Sequence, residues 1–175
     1  MNVEKLRKAL AEHSLAAFMQ PVNDEYMSEY PPACNRRVEW LSGFSGSAGT
    51  VVVATHKAAL FTDGRYTLQA KNEVDGNLFE QHNSGVLTPE AWLMGALKAG
   101  DKVGYDPRLC TSAMVKRIES VLSKKNVILT PVENLIDPIW SDRPATPQTP
   151  LFIHELQYAG ESWIHQIIRP GEDRG

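Results

Sequence analysis

The first twenty residues show two different hydrophobic patterns. Four apolar residues recur three or four positions apart with charged residues between them: Val3, Leu6, Ala9 and Leu10. This spacing predicts an amphipathic helix that ends near His13. The apolar run over residues 15–19 is short and uninterrupted, which is typical of a buried strand, and Pro21 is expected to stop it. The chain is therefore predicted to begin with a helix and a core strand.

Two further apolar runs, at residues 50–55 and 58–62, are separated only by His56 and Lys57. Runs of β-favouring residues this close together predict a β-hairpin. Asp63, directly after the second run, is expected to cap a helix that carries Arg65 in its first turn. Ligands of open α/β sheets gather at such strand ends, so this turn is a candidate for function.

The pattern from residue 78 onward alternates strands with helices. Strands are predicted at residues 78–81, 102–106 and 127–129. One helix is predicted from the cap Thr88, with proline at its first position, as far as Gly100. A second helix is capped by Thr111 or Ser112, and its apolar face consists of Met114, Val115, Ile118, Val121 and Leu122. A strand, a helix and another strand in succession imply a parallel crossover. The predicted fold is therefore α/β, with a mixed β-sheet flanked by helices on both faces.

No periodic pattern connects the first strand to the hairpin. Residues 23–34 are polar and contain Pro31 and Pro32, which predicts a surface loop. The following stretch, residues 36–50, has glycine at positions 43, 46 and 49. Neither a helix nor a strand needs this spacing, whereas glycine is favoured where the backbone turns sharply or is closely approached. We interpret the stretch as a shaped loop that leads into a strand.

The glycine loop matches none of three familiar motifs. Its G-x-x-G-x-x-G spacing differs from the dinucleotide fingerprint, and a strand follows it where a helix should receive the pyrophosphate. Gly49 is followed by Thr50 and not by the Lys-Ser or Lys-Thr of a phosphate-binding loop. Ser47 stands where the nucleophile elbow requires glycine. The spacing therefore favours a structural role for the glycines over direct catalysis.

Composition narrows the classes of partner. The 175 residues are 42% hydrophobic, which is enough to bury the core of one domain with some extra length. A net charge of −3 provides no basic field for nucleic acid or for an anionic membrane. No signal peptide or membrane-spanning window is recognised, so a soluble cytoplasmic protein is expected. Cys34 and Cys110 lack C-x-x-C spacing and are interpreted as reduced thiols.

These stretches together resemble the N-terminal domain of the aminopeptidase P (Xaa-Pro aminopeptidase) branch of the creatinase, prolidase and methionine aminopeptidase group. In the first half, the resemblance lies in residues 28–30, Arg36-Arg37, Gly43-Phe44, residues 46–50, residues 62–66 and residues 68–70. In the second half, it lies in residues 103–107, 134–137, 139–140 and 142–144. The resemblance covers most of the chain and ends near Trp163.

The resemblance also suggests which residues serve function. In the aminopeptidase P family, the arginine of the block at residues 62–66 binds substrate and reaches the catalytic pocket. This makes Arg65 the candidate substrate-binding residue. Its planar guanidinium can hold a carboxylate or a peptide carbonyl more rigidly than lysine can. Arg36, Arg37 and Trp40 are weaker candidates for the pocket or for an interface.

The reaction itself is expected to take place outside this chain. Enzymes of the family cleave the bond before a proline at the second position of a peptide, using two divalent metal ions such as manganese. The ligands are two Asp, one His and two Glu of a C-terminal pita-bread domain, and a two-metal site needs such a carboxylate-rich cage. The histidines of this chain are scattered, at His13, His56, His82, His154 and His165. We therefore predict no catalytic residue, metal ligand or cofactor here. The expected partners are a peptide with proline at its second position and a second copy of the chain, as a homodimer.

The Pro-rich residues 143–150 cannot continue a helix or a central strand and are predicted to be an extended linker. They divide an N-terminal domain at residues 1–142 from residues 151–175, the truncated or divergent start of a second domain. The predicted function is that of a non-catalytic N-terminal domain of an Xaa-Pro aminopeptidase-like metallopeptidase, contributing to the substrate pocket and to dimerisation. A stand-alone binding or dimerisation module is the alternative. A nucleotide-binding α/β domain is a third hypothesis, which the glycine spacing disfavours.

Overall fold

A computed structural model describes residues 1–150 and 155–162. This part of the chain contains six helices: α1 (Asn2–Glu12), α2 (Arg37–Ser42), α3 (Thr67–Glu73), α4 (Pro89–Ala96), α5 (Ser112–Leu122) and α6 (Leu156–Ala159). It also contains six strands: β1 (Ala17–Pro21), β2 (Gly49–Ala54), β3 (Ala58–Thr62), β4 (Glu80–Asn83), β5 (Lys102–Tyr105) and β6 (Ile128–Pro131). Short 3-10 turns lie at Ala33–Asn35, Pro107–Leu109, Ser123–Lys125 and Asp137–Ile139.

The strands form one mixed sheet in the order β4-β3-β2-β1-β5-β6. β2 is antiparallel to both of its neighbours, β1 and β3. The other neighbouring pairs are parallel. All strands except β2 therefore run in the same direction, and the turns that follow β1, β3 and β5 meet at one edge of the sheet. We call it the carboxyl edge.

The sheet is covered on both faces, which explains why its central strands are almost continuously apolar. Alternate residues of a strand point to opposite faces, so Phe18 packs in one core while Met19 packs in the other. The first core includes side chains of α1, α2 and α3, and the second includes side chains of α4 and α5. The predicted α/β class, with a mixed sheet and helices on both faces, is confirmed.

The strongest sequence patterns are found as predicted. The first helix, the hairpin of β2 and β3 and the parallel crossover from β5 through α5 to β6 are all present. Thr88 caps α4 and Thr111 caps α5, because each hydroxyl accepts a hydrogen bond from a backbone N–H three residues later. Thr111 and not Ser112 is thus the cap of α5. The helix α4 ends at Ala96, earlier than the predicted end at Gly100.

Two predictions around the candidate site were wrong. Six residues of the stretch interpreted as a loop form the helix α2, which buries Val38 and Leu41. A helix of this length is too short to produce a recognisable period. Asp63 does not cap α3, and Arg65 precedes that helix, which begins at Thr67. The Asp63 carboxylate instead accepts hydrogen bonds from the backbone and the guanidinium of Arg65.

The predictions for polar segments were less accurate than those for apolar segments. The strand predicted at residues 78–81 lies at Glu80–Asn83, because this edge strand is built from polar residues and gives no apolar signal. The loop at residues 23–34 is not wholly a surface feature. Asp24 is 1% exposed, and its carboxylate accepts hydrogen bonds from the backbone N–H groups of Tyr26 and Ser28.

Residues 144–150 are exposed and lie outside helices and strands. Of the predicted second-domain segment, only residues 155–162 are described, so His154, Trp163 and His165 lie outside the described residues. The division into residues 1–142, 143–150 and 151–175 stays a prediction. No helix within the described ranges is long and apolar enough to cross a bilayer.

Candidate functional site

The candidate site is built on the glycine segment, residues 43–49, which connects α2 to β2. Gly43 ends α2 with a positive φ of 84°, a conformation that L side chains rarely adopt. Phe44 then enters the first core and is 1% exposed. The segment is thus anchored at its start by a left-handed turn and a buried aromatic ring.

Gly46 allows two aromatic rings to meet beneath the segment. Phe44 and Tyr66 pack edge to face, with their ring centroids 5.9 Å apart. A Cβ atom at position 46 would lie 2.3 Å from Phe44 Cζ and 2.8 Å from Tyr66 Cδ1. Glycine is therefore required here by close approach. The interpretation of this glycine as structural agrees with the geometry.

Hydrogen bonds attach the outer side of the segment to its neighbours. The Ser45 backbone N–H and hydroxyl both donate to the Glu73 carboxylate of α3, at 2.9 Å and 2.8 Å. The Ser47 hydroxyl lies 2.8 Å from the hydroxyl of Tyr66 and donates to Glu29 at 3.2 Å. Burial raises the pKa of Glu73, but the hydrogen bonds from Ser45 and Gln69 outweigh it and lower the pKa overall. The segment is held from both sides.

Arg65 extends from the turn that follows β3, at the carboxyl edge of the sheet. Its Nε donates to Asp63 Oδ1 at 3.1 Å and its Nη2 to Asp63 Oδ2 at 2.8 Å. The guanidinium also lies over the Tyr66 ring, 5.3 Å from the centroid. The hydrogen bonds and the charge of Arg65 lower the pKa of Asp63, and the hydrogen bond and the charge of Asp63 in turn raise the pKa of Arg65. The side chain of Arg65 is 69% exposed although its direction is fixed.

A cleft of about 110 Å³ opens between the glycine segment and the loop at residues 29–31. We call it the Glu29 cleft. Its apolar lining comprises Val22, Pro31, Val38 and Phe44. Polar groups of Glu29, Tyr30, Arg36, Glu39, Ser45 and Ser47 complete the walls. Since Ser47 hydrogen-bonds to Tyr66, which lies under the Arg65 guanidinium, the cleft and Arg65 belong to one continuous surface.

The two adjacent arginines have different surroundings. Arg36 is half exposed, lines the Glu29 cleft and forms an ion pair with Glu39 at 3.6 Å. Arg37 is 2% exposed, and its Nε and Nη2 donate to the two oxygens of Asp137 at 2.7 Å and 3.0 Å. The same carboxylate accepts a contact from Arg143 at 3.0 Å. Arg37 thus ties α2 to the end of the domain and does not line the cleft.

Trp40 is half-buried on α2. Its ring stacks on Trp140, with centroids 5.4 Å apart and an angle of 24° between the planes. Arg36, Trp40 and Trp140 line a second, shallower groove. The structure therefore brings Arg65 and Arg36 to the same surface as the Glu29 cleft, and it places Arg37 and Trp40 in packing contacts elsewhere.

Local sequence patterns do not reveal the residues that surround Arg65. Tyr66 stood in the recognised block without an assigned role, Asp63 was expected only to cap a helix, and Glu29 was treated as part of a surface loop. The contacts of Glu29 and Tyr66 with Ser47 span 18 and 19 positions of the chain, and no local pattern reports such a pair. The polar loop before the glycines, with Glu29 and Tyr30 next to two prolines, was the available signal.

The described residues contain no group of three or more His, Cys, Asp or Glu side chains placed to hold a metal ion. The donors that this part of the chain provides do not fit a two-metal site. Burial raises the pKa of the Cys110 thiol to about 11, which disfavours the reactive thiolate. The chemistry that the surface offers is recognition, by a fixed guanidinium, hydroxyls and carboxylates beside an apolar cleft.

Comparison with known proteins defines the family. Residues 2–139 match the sequence model of the creatinase/prolidase N-terminal domain, and the chain belongs to this family. A probable Xaa-Pro aminopeptidase P of Aspergillus flavus is 38% identical over 170 residues, which cover 95% of this chain and 26% of the fungal protein. The Aspergillus niger relative with the same name is 40% identical over 170 residues, and the match covers 28% of the length of that relative. The chain thus spans about a quarter of the length of these relatives.

Solved structures agree with this assignment. The X-prolyl aminopeptidase of Caenorhabditis elegans, described as a cytosolic enzyme with a di-nuclear active site, superimposes with a TM-score of 0.82 at 33% identity. The match covers 92% of this chain and 28% of that enzyme. The N-terminal domain of the cytoplasmic peptidase PepQ from Mycobacterium tuberculosis gives a TM-score of 0.62 at 24% identity, covering 79% of this chain and 97% of that domain. The latter likeness concerns the fold alone.

Proposed function

We propose that this chain is the non-catalytic N-terminal domain of an Xaa-Pro aminopeptidase, and that it forms one wall of a pocket for peptides with proline at the second position. Its relatives named Xaa-Pro aminopeptidase P support this, as does the match to a family of N-terminal domains. Hydrolysis is assigned to a separate catalytic part that uses two divalent metal ions, such as manganese. The C. elegans relative supports a cytoplasmic location.

The exposed but fixed position of Arg65 is the observation that carries the proposal. Two donors of its guanidinium are engaged by Asp63, while Nη1 forms no hydrogen bond with the described residues. A guanidinium held in this way can donate to a ligand without first losing rotamer entropy, which favours binding. Arg37, by contrast, is buried against Asp137, so we assign it a structural role.

Homodimerisation is part of the proposal. Tyr26 and Tyr30 are 81% and 77% exposed, and Met27, between them, is 43% exposed. Tyrosine and methionine are enriched at protein interfaces. The carboxylate of Asp24 fixes the loop that carries them through its two backbone hydrogen bonds. We propose this loop as a contact with a second copy of the chain.

Replacement of Arg65 by alanine is expected to weaken peptide binding about tenfold, the effect of losing one charge-assisted hydrogen bond. The measurement is an NMR titration of the isotope-labelled chain with the peptide Ala-Pro-Ala-Ala amide. Shifts are expected at residues 45–47 and 65–66. The midpoint of urea unfolding should not change, because exposed ion pairs contribute little to stability.

Lys116→Ala, which removes an exposed positive charge from α5 on the other face of the sheet, is the control for binding. If peptide affinity is the same in wild type and Arg65→Ala, Arg65 is not a substrate-binding residue. A chain that dimerises but gives no shift with any Xaa-Pro peptide would favour the stand-alone dimerisation module instead.

A further inference from the structure

The charged side chains around the Glu29 cleft include one more carboxylate than guanidinium groups. Arg36 forms an ion pair with Glu39, and Arg65 forms one with Asp63, so each guanidinium has its own carboxylate. Glu29 forms no ion pair with a described residue. Its Oε1 accepts the hydrogen bond from Ser47, and its charge acts on Arg65 from a distance. The cleft therefore carries one uncompensated negative charge at its entrance.

Below this charge, the cleft is apolar and small. The side chains of Val22, Pro31, Val38 and Phe44 line it, and its volume of about 110 Å³ suits one aliphatic chain. Phe44 is 1% exposed and Val38 is 2% exposed, so the floor belongs to the packed core and is preformed. An apolar floor with a carboxylate at the rim is complementary to a side chain with an aliphatic stem and a cationic end.

We propose that the Glu29 cleft binds the side chain of a lysine or arginine that follows the proline of the peptide. This inference rests on the proposed function, because Arg65 and the cleft share one surface through Tyr66 and Ser47. The aliphatic stem packs against Val22 in the wall of the cleft, above the buried side chains of Phe44 and Val38, and the cationic group donates to Glu29. The domain thereby adds a preference for basic residues after the proline to the recognition of Xaa-Pro peptides.

The experiment compares three peptides in NMR titrations of the full chain at low ionic strength: Ala-Pro-Arg-Ala-Ala, Ala-Pro-Gln-Ala-Ala and Ala-Pro-Glu-Ala-Ala, each amidated. The arginine peptide is expected to bind about fivefold more tightly than the glutamate peptide, with the glutamine peptide between them. The shifts should include the ring signals of Phe44. Added salt should reduce the ratio of the affinities of the arginine and glutamate peptides, because the interacting groups are solvent-accessible.

Glu29→Gln keeps the size and the Ser47 contact of the side chain while removing its charge. This variant is expected to bind all three peptides within twofold of one another. Glu119→Gln, which neutralises an exposed carboxylate on α5, is the matched control and should keep the wild-type order. Affinities that do not depend on peptide charge, or a preference that survives in Glu29→Gln, would overturn the inference and leave the role of Arg65 intact. Absence of binding by every peptide would contradict the proposed function as well.

Discussion

Asp137→Ala is expected to lower the free energy of unfolding by about 3 kcal/mol, because it leaves the guanidinium of Arg37 buried without its counter-ion. Arg37 is 2% exposed, and two of its nitrogens donate to Asp137. Its third nitrogen, Nη1, is buried and has no partner among the described residues, so Asp137 is the carboxylate that balances this buried charge. Urea unfolding followed by circular dichroism measures the change.

A double-mutant cycle separates the buried charge from other effects of the substitution. In a chain that already carries Arg37→Met, Asp137→Ala is expected to lower the free energy of unfolding by less than about 1 kcal/mol, because no buried cation remains. Arg36→Met changes the adjacent but half-exposed arginine. Its free energy of unfolding should stay within about 0.5 kcal/mol of the wild-type value. Equal costs of Asp137→Ala in the two backgrounds would show that the ion pair does not hold α2 in place.

Gly46→Ala is expected to destabilise the domain by about 1–3 kcal/mol, the usual cost of inserting a methyl group into a packed site. The added carbon would lie 2.3 Å from Phe44 Cζ, and Phe44 is confined by the first core. Tyr66 must also move, and the guanidinium of Arg65 lies over its ring. Thermal unfolding and the amide shifts of residues 65 and 66 measure the two effects.

Gly76→Ala is the control for the glycine prediction, because no atom lies within 4 Å of a Cβ at position 76. Its stability should remain close to that of wild type. If Gly46→Ala were as stable as Gly76→Ala and left residues 65 and 66 unmoved, the close contact between the two aromatic rings would not control the position of Arg65.

The parts of the fold that could be predicted are those with strong local patterns. The helix α1 follows the period of Val3, Leu6 and Leu10, all of which are buried. The hairpin of β2 and β3 follows from two apolar runs with a short gap. The helix α2 and the strand β4 could not be predicted in the same way, since the first is too short for a period and the second is polar.

The candidate site was likewise predictable only where local sequence patterns report it. The glycine spacing and the turn with Arg65 were visible in the sequence, and the family resemblance was the source of the proposal that Arg65 binds substrate. The distinction between Arg36 and Arg37 was not visible, because it depends on Asp137, one hundred positions later in the chain. The Glu29 cleft was also hidden, since its walls come from segments that meet only in the folded domain.

Recognition of Xaa-Pro peptides by this chain without their cleavage can be tested in a single sample. The purified chain is incubated with manganese and Ala-Pro-Ala-Ala amide, while NMR follows both the amide shifts of the chain and the peptide signals. We expect shifts at residues 45–47 and 65–66 and no free alanine beyond that in a chain-free sample. Release of alanine at a rate proportional to the concentration of the chain would contradict this expectation.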